Sequence, residues 1–426
     1  MRLRVLLLLT VVALLTAGGL RLFYGPAKPT LPPAPSMDDS AAELPTSPPA
    51  PPPLDLNHIR SLHAATLLPL PATDIPAHLQ AAQTAQRLGD LFTAKRLLEA
   101  ALKQEPHSIP ARRMLADLLR QAGLFAEAKR LALQLYAEQP KDLDSFVGLA
   151  EIADAENHRD EIFDWLAKAH KTIDPTVENL INLAHHYQDW DDFIDAKALT
   201  AEALHLAPGD ENAMLQRASI LVEHGEMVEA LPLLEDLTAH HPQNGYACRL
   251  LAVVLTNPNS PRQDFDRART LLEKAAELNR TDAPTYRVIA VVYRKQHLYR
   301  LAAQCYDALL QLDPNSLEGR FGLGQVYALL GKADWSREQF AIYAKLQVRD
   351  QKIPLFDVAI RHHPTDLRFH MDKARYLEAQ GNLTGALAEA ETVEMLSPGS
   401  KSSGAMKEIL NCYTLLGWPP FEKGKQ

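Results

Sequence analysis

The chain has 426 residues, of which 46% are hydrophobic and 23% charged, and its formal net charge is −9. This composition predicts a folded protein, and the acidic balance argues against nucleic-acid partners, whose phosphates require a basic excess. The three cysteines, Cys248, Cys305 and Cys412, form no CxxC pair, which excludes a disulfide-dense scaffold and a thiolate zinc site. We expect all three to be buried as small hydrophobic residues.

An unbroken apolar run at residues 5–20 follows Arg2 and Arg4. A basic start before an apolar run is typical of both a signal anchor and a cleavable signal peptide. The sequence LTAGG near the end of the run fits an A-x-A cleavage site poorly, and residues 22–24 extend the run towards the length of a membrane span. We therefore predict that residues 1–24 form a signal anchor, a single transmembrane helix, with a cleaved signal peptide as the alternative.

Residues 25–72 are predicted to form a proline-rich, disordered linker, which includes the sequences PTLPPAPS and PTSPPAPPP. Proline fixes φ and lacks a backbone donor, so this segment should be an extended spacer of the polyproline type. A docking site for an SH3-like domain is a second interpretation. Residues 54–70, at the end of the linker, are compatible with a short helix that packs against the folded region beginning near residue 75.

Prolines recur at intervals of 34 residues in the rest of the chain. The pairs with this spacing are Pro106 and Pro140, Pro208 and Pro242, and Pro364 and Pro398. Each follows an amphipathic stretch, such as ALKQEP or ALHLAP, that predicts a helix ending at the proline. A small residue, which lets a neighbouring helix approach closely, follows each repeat boundary by about ten residues. These residues are Ala116, Ala150, Ala184, Ala218, Ala252, Ala290, Gly324 and Ala374.

A second small residue recurs in the helix that follows. It occurs at Ala94, Ala128, Ala196, Ala230, Ala268, Ala302 and Ala386. Glycines that can end a helix in the left-handed conformation lie between the two helices of five units. They are Gly89, Gly123, Gly225, Gly331 and Gly381. The pattern predicts a helix-turn-helix unit that repeats from residue 75 to residue 398.

This pattern resembles the tetratricopeptide-repeat (TPR) family. Its marks are a leucine before the first small residue, as in Leu115-Ala116, and a tyrosine three residues after it, as in Tyr187. An alanine and then an aromatic residue mark the second helix, as in Ala302 and Tyr306. Most first helices lack the tryptophan of the family consensus, and a serine stands at position 336 instead of the second alanine. The resemblance implies an all-α TPR solenoid, a right-handed superhelix of stacked helix-turn-helix repeats.

We predict that the solenoid covers residues 73–422, with about nine repeats and a C-terminal capping helix. Residues 257–264 lengthen one turn by four residues. The interval between Pro314 and Pro364 exceeds one unit by 16 residues, which we interpret as a single inserted helix at residues 354–363. Residues 403–416 are predicted to form the cap that a terminal repeat requires.

The resemblance also implies a concave groove, lined by the first helices, that receives an extended peptide or a partner helix. A period of 3.6 residues assigns mixed and acidic side chains to the early part of this groove and basic ones to the later part. The early set is Arg113, Asp117, Arg120, Asp144, Glu151, Asp154, Glu178, His185 and Asp189. The later set, our candidate partner-binding residues, is Arg249, Arg287, Arg294, Lys295, Arg368 and Arg375. These arginines could hold acidic partner segments or a free carboxylate, although an exposed charged face needs no ligand.

Other motifs give no catalytic or cofactor site. The GxG at residues 322–324 lies in a predicted repeat helix, where a nucleotide-binding loop would need a preceding strand. His185 and Asp189 are four residues apart on one helix face, a spacing that a metal can use, but we interpret them without a metal. His240-His241 and His362-His363 precede repeat prolines, where imidazoles can contact free helix carbonyls. We predict no catalytic residues, no cofactor and no small-molecule substrate.

The sequence thus predicts a membrane-tethered TPR scaffold or adaptor that binds protein partners and is not an enzyme. Arg2 and Arg4 favour a cytoplasmic N-terminus, so the repeats should lie outside the cytoplasm. In a bacterium this compartment would be the periplasm. The partner complex could then be an envelope, secretion or biogenesis complex. One alternative is an exported soluble chaperone or assembly factor, released after signal cleavage. Another is the regulatory subunit of an enzyme whose catalytic part acts in trans.

Overall fold

The computed structural model describes residues 44–45, 47–50, 55–67, 74–363, 366–398 and 404–418. The signal anchor predicted at residues 1–24 lies outside these residues. The described part of the chain contains 20 α-helices and no strand. None of these helices combines the length and apolar character that crossing a membrane would require.

Nine consecutive helix pairs account for 18 of the 20 helices, as the sequence predicted. The pairs are α2 (Ile75–Arg87) and α3 (Leu91–Gln104), α4 (Ile109–Gln121) and α5 (Phe125–Glu138), α6 (Leu143–Ala155) and α7 (Arg159–Thr172), α8 (Val177–Asp189) and α9 (Phe193–Leu206), α10 (Glu211–Glu223) and α11 (Met227–His240), α12 (Gly245–Thr256) and α13 (Phe265–Leu278), α14 (Ala283–Lys295) and α15 (Tyr299–Leu312), α16 (Leu317–Leu329) and α17 (Ala333–His362), and α18 (Leu367–Ala379) and α19 (Leu383–Leu396). Helix α1 (Leu56–Thr66) precedes the pairs and α20 (Ala405–Leu416) follows them.

The small residues of the repeat lie where adjacent helices pack. Ala150, Ala184 and Ala218 are fully buried in first helices, and Ala94 and Ala128 are fully buried in second helices. The serine at position 336 departs from alanine without leaving its hydroxyl unsatisfied, because Ser336 Oγ donates to the Gly324 carbonyl at 2.9 Å. The three cysteines are buried and unpaired, as predicted.

The turns inside the repeats also follow the sequence pattern. The five predicted turn glycines all take a positive φ, between 70° and 81°. Three repeats place another residue in the same left-handed conformation, at Asn157, Asp191 and His297. The lengthened turn at residues 257–264 connects α12 to α13 without a helix of its own. Acidic and amide N-caps begin many of the helices, as when Asp210 accepts from the Ala213 N–H at 2.9 Å.

The chain divides into two compact units. Of the described residues, the central unit contains 44–45, 47–50 and 175–348, and the terminal unit contains 55–67, 74–174, 349–363, 366–398 and 404–418. In the central unit one large hydrophobic cluster extends from α10 to α16. The terminal unit combines the first three repeats with the last repeat and α20.

The last repeat packs directly on the first in the terminal unit. Glu391 of α19 accepts the Phe92 N–H at 3.0 Å, and so caps the N-terminus of α3 from the far end of the chain. Asp90 accepts from His63 Nε2 of α1 at 2.9 Å, and the His63 ring stacks on Trp418 with 3.7 Å between centroids. An apolar cluster that includes Ile59, Leu387 and Leu416 surrounds these groups. Burial and the nearby Asp90 charge raise the pKa of Glu391 well above its ordinary value.

Helix α20 confirms the predicted C-terminal helix, but its environment differs from that of a simple cap. A cap covers the outer face of the last repeat, and its own outer face would then meet solvent. Instead α1 lies against it, and Arg60 Nε donates to the Leu416 carbonyl at 2.9 Å. Both ends of the folded repeats in this unit therefore bury apolar surface that a linear array would leave to solvent.

The predicted inserted helix at residues 354–363 is not a separate element. These residues continue α17, which runs unbroken for 30 residues with Pro354 inside it. Sixteen residues are about four helical turns, so the insertion can extend an existing helix instead of adding a new one. Asp357 joins the extension to α18 through an ion pair with Lys373 at 2.7 Å.

Parts of the linker predicted at residues 25–72 are also structured. Helix α1 packs against α2, in agreement with the short helix considered for residues 54–70. Leu44 packs against the core of the central unit, and the Pro49 carbonyl accepts a hydrogen bond from Arg320 at 2.6 Å. The expectation of a spacer without structure is therefore wrong for these residues, because a buried guanidinium and an apolar surface hold them.

Gly89 tests the packing of the last repeat on the first. Its φ is +76°, and an added Cβ would lie 2.1 Å from the Thr384 carbonyl oxygen of α19. Gly381 has a similar φ of +77° in the same unit, but nothing lies near its added Cβ. We expect Gly381→Ala to cost about 1 kcal/mol from backbone strain alone. Gly89→Ala should cost roughly 2 kcal/mol more, because α19 must move away.

Urea unfolding of the full chain, together with hydrogen exchange in α19, measures this difference. Gly89→Ala should accelerate exchange in α19, and Gly381→Ala should do so much less. Equal effects of the two variants would contradict the close approach of α19 to the first repeat.

Candidate protein-binding surface

Polar side chains join the first helices of neighbouring repeats in the terminal unit. Gln86 of α2 donates to Asp117 of α4 at 3.0 Å. Arg120 of α4 lies 3.5 Å from Glu151 of α6 and also pairs with Asp117. Several charges that the sequence assigned to the early groove are thus paired from one repeat to the next.

The central unit has a longer connection of this kind, which we call the first-helix network. Gln216 of α10 donates to Gln188 of α8 at 2.8 Å, and Gln188 donates in turn to Glu223. Ser219 of α10 and the Tyr246 hydroxyl of α12 are hydrogen-bonded at 2.9 Å. The network therefore links the first helices of three successive repeats, α8, α10 and α12, through side-chain hydrogen bonds.

Arg249 continues the first-helix network towards α14. Its guanidinium lies 4.6 Å from the centre of the Tyr246 ring, and its Nε is 3.0 Å from a carboxylate oxygen of Asp282. The stacking and the ion pair fix the plane of the guanidinium. Asp282 therefore already neutralises the charge of Arg249.

Arg287 and Arg294 lie half-buried on α14, close to the Tyr306 hydroxyl of α15. Burial raises the pKa of Tyr306, and the hydrogen bond from Arg294 and the charges of both arginines oppose this rise. The Tyr306 ring lies against Gly322 of α16, where an added Cβ would meet it at 2.2 Å. Gly322 of α16 thus limits the movement of the Tyr306 ring. The two arginines lie beside this fixed ring.

The other candidate residues are less constrained. Lys295 is exposed at the end of α14. Arg368 and Arg375 belong to the terminal unit, where Arg368 pairs with Asp366 at 2.6 Å and Arg375 lies 3.5 Å from Asp372. The six basic residues are thus divided between two units, four in the central and two in the terminal one.

His185 and Asp189 are adjacent on α8, with 3.0 Å between Nδ1 and the carboxylate oxygen. This hydrogen bond, more than the charge of Asp189, raises the pKa of His185. The residues that the structure describes contain no group of three His, Cys, Asp or Glu side chains able to hold a metal ion. The charge of Glu223, a member of the first-helix network, adds a smaller contribution to the rise in the pKa of His185.

Buried thiols and phenols in the repeats are unreactive. Burial raises the pKa of Cys412 to about 12 and that of Tyr187 to about 12. It also raises the pKa of Cys248 and Cys305. Because a thiolate is the reactive form of cysteine, burial disfavours the reactive form of these thiols at neutral pH.

Sequence reasoning did not predict that the uncharged members of the first-helix network would join neighbouring repeats. These members are Gln188, Gln216, Ser219 and Tyr246. Their signal is spacing: the hydrogen-bonded pairs Gln188–Gln216 and Ser219–Tyr246 are 28 and 27 residues apart. Polar residues separated by slightly less than one repeat can meet across first helices. A search restricted to charge would not detect them.

These paired, stacked helices form an all-α solenoid of helix-turn-helix repeats of the TPR type. Two family models, each described as tetratricopeptide repeat, match residues 85–151 and 287–347. The chain is also similar to cellulose synthase operon protein C of Pseudomonas fluorescens, with 23% identity over 296 residues, covering 66% of this chain. The match covers only 23% of that protein, so the chain spans less than a quarter of its relative's length.

Solved structures of TPR proteins are similar to parts of the chain. A TPR protein from Parabacteroides merdae has a TM-score of 0.43 and 16% identity, covering 59% of this chain and 98% of its own. A thermophilic TPR protein from Thermus thermophilus has a TM-score of 0.35 and 21% identity, covering 42% of this chain and 99% of its own.

The first-helix network should lose stability as the pH rises. The raised pKa of His185 means that its contribution is present below the ordinary histidine pKa and is lost as pH passes the folded value. Burial raises the pKa of Glu223, so the cost of its charged form appears as pH rises above the ordinary glutamate value. Both effects favour the folded state more at about pH 5 than at about pH 8.

We expect the double variant His185→Gln, Glu223→Gln to show a smaller difference in urea midpoint between these two pH values than the unmodified chain. Circular dichroism at each pH measures the midpoint. His205→Gln, which changes an exposed histidine on α9, is the control and should leave the difference unchanged. An unchanged difference in the double variant would contradict these roles.

Proposed function

We propose that this protein is a membrane-tethered TPR scaffold or adaptor that binds protein partners outside the cytoplasm. The observation that carries the proposal is the first-helix network with its flanking arginines, a polar surface fixed on rigid helices in successive repeats. Preorganised side chains lose little entropy when a partner binds, which suits them to recognition. The chain would act through binding, and not through catalysis.

The tether rests on the sequence. The apolar run at residues 5–20 and the basic residues before it favour a retained signal anchor and repeats beyond the membrane. An envelope, secretion or biogenesis complex fits this location. The similarity to a protein named for the cellulose synthase operon suggests cellulose-synthesis machinery as one partner class to test.

The alternatives are an exported soluble chaperone and the regulatory subunit of an enzyme acting in trans. Cleavage of the N-terminal segment would favour the chaperone. Activity that depends on a co-purified catalytic subunit would favour the regulatory role. Catalytic activity of the isolated chain on any substrate would contradict the proposal itself.

The intact mass of the protein purified from its native membrane tests the tether. A retained anchor predicts the mass of the whole chain, 47.3 kDa apart from the initiator methionine. Loss of about 20 residues would instead identify a cleaved signal peptide and remove the membrane from the proposal. Extraction with carbonate, compared with detergent, gives an independent measurement of membrane insertion.

The double variant Arg287→Glu, Arg294→Glu tests recognition by the basic residues of α14. Partners are first captured by crosslinking in the native membrane and identified by mass spectrometry. If an acidic segment of the partner binds these arginines, charge reversal should weaken capture by at least about tenfold. Helical circular dichroism of the variant is recorded in parallel, so that lost capture by a folded protein is distinguished from unfolding.

A matched control reverses the same number of charges on second helices. Arg300 and Arg337 are both exposed, on α15 and α17 of the central unit. Arg300→Glu with Arg337→Glu should retain capture. If the α14 variant retains its partner, or if both variants lose it equally, recognition by Arg287 and Arg294 is wrong.

A further inference from the structure

Arg320 is the largest side chain that is fully buried in the repeats. It lies on α16 of the central unit. A charged side chain that is buried in this way requires several hydrogen-bond acceptors. Two come from the same neighbourhood: the Pro314 carbonyl accepts from Nη2 at 3.0 Å, and Gln339 Oε1 accepts from Nη1 at 2.8 Å. The third is the Pro49 carbonyl, 2.6 Å from Nη1 and far away in sequence.

We propose that Arg320 and Gln339 form a binding site for an extended, proline-containing segment, and that residues 44–45 and 47–50 of the same chain occupy it. We call these residues the strap. The Pro49 carbonyl receives a second, longer contact from Gln339 Nε2 at 3.4 Å. Leu44 packs at the other end of the strap against the hydrophobic core of the central unit. The strap is thus held by a polar contact and an apolar one.

The chemistry of the site matches this occupant. Proline has no backbone N–H, so a proline-rich segment presents mainly carbonyl acceptors to its partner. A guanidinium supplies several donors and cannot deprotonate in compensation. Because proline also restricts the free segment, ordering it costs less entropy than ordering an ordinary loop.

The buried charge gives the strap a role in the stability of α16. Burial lowers the pKa of Arg320, and the charges of Asp307, Asp313 and Glu338 oppose this change. Loss of the Pro49 carbonyl would leave Nη1 with Gln339 alone and would open the guanidinium to water. The strap therefore completes the solvation of a cation that the repeats alone do not fully pair.

Strap docking would shorten the tether, a consequence that rests on the proposed membrane anchor. A polyproline segment extends by about 3.1 Å per residue. A linker free as far as residue 54, just before α1, could span about 90 Å, whereas residues 25–43 could span only about 60 Å. The strap would then keep the central unit close to the membrane.

Spin labelling of the full chain in detergent tests the docking without any partner or membrane. Ser47 of the strap is exposed, and the three native cysteines are buried, so Ser47→Cys offers a selective labelling site. Ser36→Cys labels a position outside the strap, in the segment that the sequence predicts to be a disordered linker. We expect the label at position 47 to rotate several-fold more slowly than the label at position 36.

Arg320→Gln should release the strap and raise the mobility at position 47 to that at position 36. Leu44→Ser and Gln339→Ala should raise it as well, and they carry the test if Arg320→Gln does not fold. Arg337→Gln, on an exposed arginine of the same helix as Gln339, should change nothing.

Equal mobility at positions 47 and 36 in the otherwise unmodified chain would overturn the proposal. So would a slow label at position 47 that stays slow in the folded Arg320, Leu44 and Gln339 variants. Either result would leave the proposed scaffold function untouched, because the mobility measurement involves no partner.

Discussion

The packing of each helix pair against its neighbours is the interaction on which the rest of this structure depends. A single pair cannot bury its own apolar face, so it is stable only when another element covers it. Close approach requires small residues at the contact, as at Ala150 and Ala184, which are fully buried. Where the sequence places Ser336 instead, a hydrogen bond to the Gly324 carbonyl preserves the approach.

The same requirement explains the less regular parts of the molecule. In the terminal unit the last repeat covers the first, and Glu391, Asp90 and His63 supply hydrogen bonds between segments far apart in sequence. In the central unit Leu44 of the linker packs against the hydrophobic core, and the Pro49 carbonyl accepts a hydrogen bond from Arg320. Other parts of the chain therefore cover surfaces that a simple array would leave open, and hydrogen bonds between distant segments accompany this burial.

The surface available for recognition follows from the geometry of the first helices. Their side chains meet across repeats, so Gln188, Gln216, Ser219 and Tyr246 form hydrogen bonds that hold them in place before any partner binds. Arg249 stacks on the Tyr246 ring and pairs with Asp282, whereas Lys295 is exposed. A partner of this surface would meet a fixed pattern of donors and acceptors.

The sequence by itself determined the repeat, because helix periodicity, small residues and turn glycines are local signals that recur every 34 residues. Nine helix pairs, the lengthened turn after α12 and the buried cysteines were all predictable in this way. Only the tertiary structure decided that residues 354–363 extend α17, that Glu391 caps α3, and that Pro49 contacts Arg320. These contacts join residues 271 or 299 positions apart, or depend on which neighbour covers a helix. No local pattern encodes them, because their energy comes from burial between segments that meet only in the folded chain.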